Sequence, residues 1–323
     1  MVDASVRHRI KRWLPVARWA ITPVLLVVLL RWIHPDELLP DWDNSTLEYL
    51  AGALACTLLG IVLSAVRWQR VLSAMELPSK LSTLLNAYLA GQFVSNFLPS
   101  TIGGDALRVS RLSAANGETP ATFASVVLDR MSGWLILPLM CLAGLAINPT
   151  LIHLGRASRV AITISLVTLA ALAVVITVAT SRRLGGRLAG HTSWLRFAGA
   201  VHLGLDRLRR HPAAAAGVVA TGFAYQLAVI SAALLGARAL GIHVGPTALL
   251  AFFPAVAIVQ VLPVTVGGLG VREGALVLFL QPLGVPADKA FALGLLVYTL
   301  HLVASLLGAP AFAVGNRTPR AAA

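Results

Sequence analysis

One short pattern that breaks an apolar stretch occurs twice in this chain, and it limits the folds open to it more than any other feature. Asn96, Leu98, Pro99, Thr101, Gly103, Gly104 and Arg108 read N-x-L-P-x-T-x-G-G-x-x-x-R, and Gln260, Leu262, Pro263, Thr265, Gly267, Gly268 and Arg272 read Q-x-L-P-x-T-x-G-G-x-x-x-R. Pro99 and Pro263 are 164 positions apart in a chain of 323, so the copies mark equivalent points in two halves of one fold. Proline and paired glycine inside hydrophobic sequence are what a broken helix in a membrane transporter requires, because irregular backbone at membrane depth survives only where protein or a cavity satisfies it.

The surroundings of the pattern are those of a membrane protein. The chain is 57% hydrophobic and only 12% charged, with a mean hydropathy of +0.80, whereas a soluble domain carries about 25% charged residues. Its net charge of +13 comes from 26 Lys and Arg against 13 Asp and Glu. Such a balance suits either nucleic acid or cytoplasmic loops that face anionic lipid, and the placement of the charges decides between them. Cys56 and Cys141 lie in separate apolar runs and read as packing residues, with no disulfide framework or metal spacing.

Apolar runs predict spans at about 17–33, 47–66, 122–147, 159–180, 213–235 and 287–311. The basic start and apolar run at the N-terminus read as a retained helix rather than a cleaved signal, since Arg31 and an acidic segment follow it. Each motif is flanked by pieces too short to cross, 82–97 with 104–115 and 247–261 with 268–280, and each pair reads as a re-entrant hairpin. The expected fold is therefore an all-α integral membrane protein with six spanning helices and two hairpins. It forms a single domain over residues 1–323, with repeats at about 17–147 and 159–311.

Charge placement sets the orientation. With the N-terminus inside, 19 Lys and Arg fall on cytoplasmic segments and 5 on outer ones. Both termini are then cytoplasmic, and corresponding elements of the two halves run in opposite senses, the arrangement that underlies alternating access. The segment at about 181–212 carries Trp194, Phe197, Ala198, Val201, Leu205 and Leu208 at helical spacing, with Arg196, Asp206, Arg207, Arg209 and Arg210 elsewhere. It reads as an amphipathic helix on the cytoplasmic face.

The chemistry expected of the motifs is anion binding. A half-helix that begins near mid-membrane aims free N-H groups and the positive end of its dipole into the protein. Gly103, Gly104, Gly267 and Gly268 let the backbone break there and approach a ligand. Arg108 and Arg272 follow one turn later, with the hydroxyls of Thr101 and Thr265 and the carboxamides of Asn96 and Gln260 beside them. Asp105 and Glu273 adjoin these arginines as internal counterions or ligand contacts, and Asp129 and Arg130 open the next span as a weaker candidate pair. The eight histidines are scattered and Gly103-Gly104-Asp105 lacks a Walker ending, so no metal, cofactor or catalytic motif is expected.

These segments resemble the signatures of a flippase-like membrane family typified by the transmembrane region of lysylphosphatidylglycerol synthases. Leu98-Pro99, Gly103-Gly104-Asp105 and Arg108 fit its first segment. Pro263 and Gly267-Gly268-Leu269-Gly270-Val271-Arg272-Glu273 fit its second, and Asp129-Arg130 looks like the acidic-Arg pair that follows the first. The resemblance implies movement of polar-headgroup lipids between leaflets of a bacterial inner membrane: anionic, aminoacylated, hopanoid-type or isoprenoid-linked. It departs from many relatives at Tyr298, Thr299 and His301, where an arginine is expected, and no soluble aminoacyl-transferase domain follows in this chain.

Two other function classes use the same residues. An intramembrane headgroup transferase needs an acid or base, for which Asp105 and Glu273 are the candidates; a non-transporting partner of a lipid-modifying enzyme or glycosyltransferase tolerates loss of the central arginines. The expected partners are a membrane lipid and the bilayer, with a lipid-modifying enzyme and a second copy of the chain as further candidates, and no nucleic acid.

Overall fold

The computed structural model describes residues 44–97, 101–180, 192–261, 265 and 268–314. The expected first span, residues 181–191, the C-terminal tail and the Leu-Pro pair of both motifs lie outside them. The described residues are all-helical: α1 (Asn44–Ala74), α2 (Leu81–Phe97), α3 (Thr101–Asn116), α4 (Thr119–Ile147), α5 (Arg156–Thr180), α6 (Thr192–Arg210), α7 (Pro212–Ala239), α8 (Pro246–Gln260), α9 (Val271–Leu280), α10 (Ala287–Leu306) and α11 (Gly308–Val314). Five of these, α1, α4, α5, α7 and α10, are long and apolar enough to cross a membrane. Leu59, Leu166, Val167, Val174, Leu227 and Val303 stay exposed on them, as lipid-facing side chains do and soluble helices avoid.

The first half ends its long helix in the same way as the second. Leu77 N-H donates to Leu72 O at 2.9 Å and Glu76 N-H to Ser73 O at 3.1 Å, while Ile242 N-H donates to Ala237 O at 2.8 Å and Gly241 N-H to Arg238 O at 3.0 Å. Both are Schellman caps with a left-handed residue between the bonds, Gly241 at φ 66 and Glu76 at φ 59. A glutamate in that conformation is uncommon. It is held there from α6, because Arg207 donates to the neighbouring Met75 carbonyl and pairs with Glu76 at 3.6 Å.

The two caps are 165 positions apart, and the helices they terminate, α1 and α7, cross each other antiparallel. Gly60 lies against the ring of Tyr225, which is 165 positions further on. Gly52 touches Leu235 and Gly217 touches Arg70, two contacts that interchange when every number is shifted by 165. Glycine at each crossing point lets the backbones approach as small residues do in membrane bundles.

Contacts sort the helix ends into two sets. At one, α6 meets Met75 and Glu76, His211 faces Glu76 at 3.9 Å, and Asn116 bonds Thr122; Arg70, Lys80, Arg207, Arg209 and Arg210 sit there. At the other, Asn148 Nδ2 donates to Thr247 Oγ1 at 3.1 Å, and Arg156, Arg159, Arg238 and Lys289 lie on that side. Within its described part, Thr192–Arg210, the amphipathic segment docks on the bundle: Val201 is fully buried and Gly204 packs on Leu128.

The last apolar helix stops at Leu306, short of the expected 311. Pro310, within α11, has no N-H to give the Leu306 carbonyl, so the hydrogen-bond ladder is interrupted where α10 ends. The chain turns into α11, whose Gly308 rests on the Leu89 carbonyl of α2. Arg111 of α3 donates to Ala311 O at 2.7 Å and Phe312 O at 3.0 Å, satisfying carbonyls at the C-terminal end of α11.

The core of the second half centres on Phe252, Phe279, Leu249 and Leu276, all at most 1% exposed, with the Phe252 and Phe279 rings stacked at 5.3 Å. Here α4 meets α8 at Gly144, where a Cβ would lie 2.5 Å from Ala251 N. Gly144→Val should therefore lower stability by about 1–3 kcal/mol through overpacking. Gly274→Ala, with nothing within 4 Å of its Cβ, should keep or raise it. Thermal unfolding of both variants in detergent checks this.

Candidate functional site

Around α3 and α4 the sequence places more charge than an apolar bundle can bury unpaired, and the fold resolves this with an alternating chain of five side chains. Arg67 Nε of α1 donates to Asp129 Oδ1 at 2.8 Å. Arg108 Nη2 of α3 donates to Asp129 Oδ2 at 2.9 Å, and its Nη1 reaches Asp105 Oδ1 at 3.3 Å. Arg130 then grips Asp105 with two bonds of 2.8 and 3.0 Å. Asp129 is 1% exposed and Arg108 3%, so the bridge between Arg67 and Arg108 is dry. Helix α1 is thereby tied to the consecutive pair α3 and α4 at one level of the bundle.

The aromatic side chains complete this packing. The Arg108 guanidinium lies between Trp68 and Tyr88, 4.2 and 4.8 Å from their ring centres, a geometry in which ring faces stabilise a cation. Trp68 is fixed in turn by its Nε1-H donating to Ser125 Oγ at 3.0 Å. Arg67 leans on Tyr225 at 5.5 Å, and Gly133 makes room for its guanidinium, since a Cβ there would sit 3.1 Å from Nη1.

The second motif is built differently. Gly268 and Gly270 take left-handed φ values of 74 and 82, which turns the chain from α8 into α9. The Glu273 carboxylate accepts the Gly270 N-H, an N-terminal cap at the third position of α9. Glu273 is 0% exposed and its stem packs on Gly294 of α10. Arg272 Nε donates to Gln260 Oε1 at 2.9 Å, and its guanidinium faces Tyr298 at 5.3 Å and Glu273 at 3.7 Å.

Between these constructions lies a cavity of about 280 Å³ whose walls come from α1, α2, α4, α7, α8, α9 and α10. Among the described residues its charged lining is Arg67, Arg130 and Arg272, with no carboxylate. Gln92, Asn96, Gln226 and Gln260 supply carboxamides, and Tyr88, Tyr225 and Tyr298 supply phenols. Tyr225 is 13 residues from the start of α7 and 14 from its end, so at about 1.5 Å per residue the cavity sits roughly 20 Å from either end of that helix. Small-molecule sites start near about 300 Å³, so the space suits a headgroup rather than acyl chains.

Of the residues expected from sequence, Asn96, Arg130, Gln260 and Arg272 line this cavity. Arg108 and Asp129 stand behind it, locked to each other, and Asp105 and Glu273 are engaged by Arg130, Arg108, Gly270 and Arg272. Gly104 serves helix packing against Gly91 and Ser95, and Gly103 lies in the same first turn of α3. Thr265 is buried with a hydroxyl that finds no partner among the described residues. The side chain of Thr101 and all of Gly267 lie outside the described residues. The expected span at 47–66 leaves Arg67 just outside it, and Tyr88, Gln92, Tyr225 and Gln226 lie in apolar runs that mark no site. The signal for Arg67 is that it directly follows an apolar run and precedes a second arginine, Arg70, by about one turn.

The bundle thus defines a multi-pass helical membrane protein with a polar, cationic interior. The family described as lysylphosphatidylglycerol synthase TM region matches residues 16–308, and the chain belongs to that family. No curated protein and no solved structure matches it.

Removing one partner of a dry ion pair strands the other charge, which costs about 3–5 kcal/mol. Asp129→Asn takes the carboxylate from Arg67 and leaves Arg108 with the longer contact to Asp105, and should show that loss in thermal unfolding. Asp105→Asn, at a carboxylate 22% exposed, should lose clearly less.

Proposed function

We propose that the protein is a lipid translocator that passes an anionic polar headgroup between leaflets of a bacterial inner membrane. The observation that carries this reading is a cavity at mid-height of the helices whose charged wall, among the described residues, is three guanidiniums and no carboxylate. An anion crossing a low-dielectric interior must exchange its water for fixed positive groups. Arginine suits a phosphate because its planar fork donates two parallel bonds. In this reading Arg67, Arg130 and Arg272 contact the headgroup, and Arg108 positions Asp129 and Asp105 behind them.

The architecture supports the same reading. At about 1.5 Å per residue, α2 and α3 measure roughly 25 and 24 Å, and α8 and α9 roughly 22 and 15 Å, against about 30 Å of hydrocarbon. Each pair closes on itself as an antiparallel hairpin: Gly104 rests on Gly91 and Ser95, and Arg272 bonds Gln260. Two re-entrant hairpins with six spans, counting the run at 17–33, make an inverted repeat, and the contacts that interchange on a shift of 165 fit its two-fold axis. Such a fold has two related conformations that open the site to opposite sides. The end that carries Arg70, Lys80, Arg207, Arg209 and Arg210 is then cytoplasmic, as are both termini.

Replacing both Arg67 and Arg272 with Gln should cut movement of a fluorescent anionic phospholipid in proteoliposomes by a hundredfold or more, the factor that a loss of about 3 kcal/mol implies. Full transport by the folded double variant would sink this site and favour a partner or transferase role. Single cysteines placed at 202 and 209 should resist impermeant labelling from outside intact cells, whereas one at 153 should react. Outside labelling of the first two would invert the topology.

A further inference from the structure

The charges in and behind the cavity do not cancel. Among the described residues Arg67, Arg108, Arg130 and Arg272 face Asp105, Asp129 and Glu273, four cations to three carboxylates with histidine neutral. None of the three carboxylates lines the cavity. Two neutral groups on the wall also stand incomplete: the Gln226 side chain is 4% exposed and its Nε2 has no hydrogen-bond partner, as is true of Asn96 Nδ2. An unmade donor in a dry wall is expensive and marks a place where a ligand acceptor completes the site. His301 adds the opposite function. Its Nδ1 lies 2.9 Å from the Val297 carbonyl, which can only accept, so Nδ1 carries the proton and Nε2 is left as an acceptor on a residue lining the cavity.

From this we infer that the headgroup is a phosphodiester monoanion whose remainder is neutral and hydroxyl-bearing, such as glycerol or a sugar, and that aminoacylated lipids are disfavoured. The single phosphate charge neutralises the excess cation. Oxygens of the hydroxyls accept from Gln226 and Asn96, and a hydroxyl proton is given to His301 Nε2. An aminoacyl ester adds ammonium charge to the same headgroup, and the three guanidiniums of the described wall oppose it, since juxtaposed like charges are what interfaces use to reject wrong partners. The inference rests on reading the cavity as a headgroup site and not on lipid movement as such.

Binding and movement can therefore be tested apart. The purified full-length protein in detergent is titrated with short-chain phosphatidylglycerol, its lysyl ester and phosphatidylmethanol, following the ligand-induced rise in Tm. Phosphatidylglycerol should bind at least about tenfold more tightly than the lysyl ester. It should exceed phosphatidylmethanol, which has the same charge and no hydroxyl, by several-fold, the range of one or two buried hydrogen bonds. Gln226→Leu should remove most of the second preference and leave the first. Equal or tighter binding of the lysyl ester overturns the charge assignment, and equal binding of phosphatidylmethanol overturns the hydroxyl assignment. Movement of the same lipids in proteoliposomes is scored separately. Selective binding without movement removes translocation and keeps the headgroup assignment, whereas movement without selectivity does the reverse.

Discussion

Everything in this bundle is arranged around the difficulty of keeping arginines inside an apolar protein. Each cation taken from water into such an interior must find a carboxylate, a ring face or a ligand. Asp129 solves the problem for two at once by accepting from Arg67 and Arg108 on its two oxygens, and Asp105 is shared in the same way between Arg108 and Arg130. The arrangement fixes α1, α3 and α4 relative to one another, because moving any of them breaks a dry bond. It also decides which arginine is available: Arg108 is consumed by its neighbours, whereas Arg67 and Arg130 keep faces toward the cavity.

The two halves share a backbone plan and differ in charge. Matching helix caps, a glycine-mediated crossing of α1 and α7, and paired close contacts at Gly52 and Gly217 belong to both. The ion chain belongs to the first alone. At the places in α10 that correspond to Asp129 stand Leu293 and Gly294, and the places in α7 that correspond to Arg67 and Trp68 are Ala232 and Ala233. With leucine and glycine at those places in α10, Arg272 meets Glu273, Gln260 and Tyr298 and lines the cavity. One half is thus a rigid charged frame, and the other presents a cation from a turn with two left-handed glycines.

The sequence by itself determined that the chain is a helical membrane protein, where its described spans lie, that two Pro-Gly-Gly breaks occupy equivalent positions, and which family it resembles. These follow from local quantities: an apolar run long enough to cross, a proline that cannot donate, a glycine that can turn. Arg272, Gln260 and Asn96, which line the cavity, could be picked out for the same reason, since the break is written beside them.

Only the tertiary structure decided the fate of the other charges. Arg108 and Arg272 occupy the same place in the same motif, and their immediate neighbours give each a local carboxylate, Asp105 and Glu273; what separates them is Asp129 on the next helix, 21 residues beyond Arg108, where Leu293 stands beyond Arg272. Arg67 looked like the end of a span because a basic residue there marks the membrane surface in most helices. Its helix continues to Ala74, which leaves the guanidinium buried beside Asp129. The extent of α10 was likewise decided by Pro310 and by the seat that α2 offers to Gly308. Pairing between side chains distant in sequence depends on which helix faces lie together, and periodicity and composition carry no record of that.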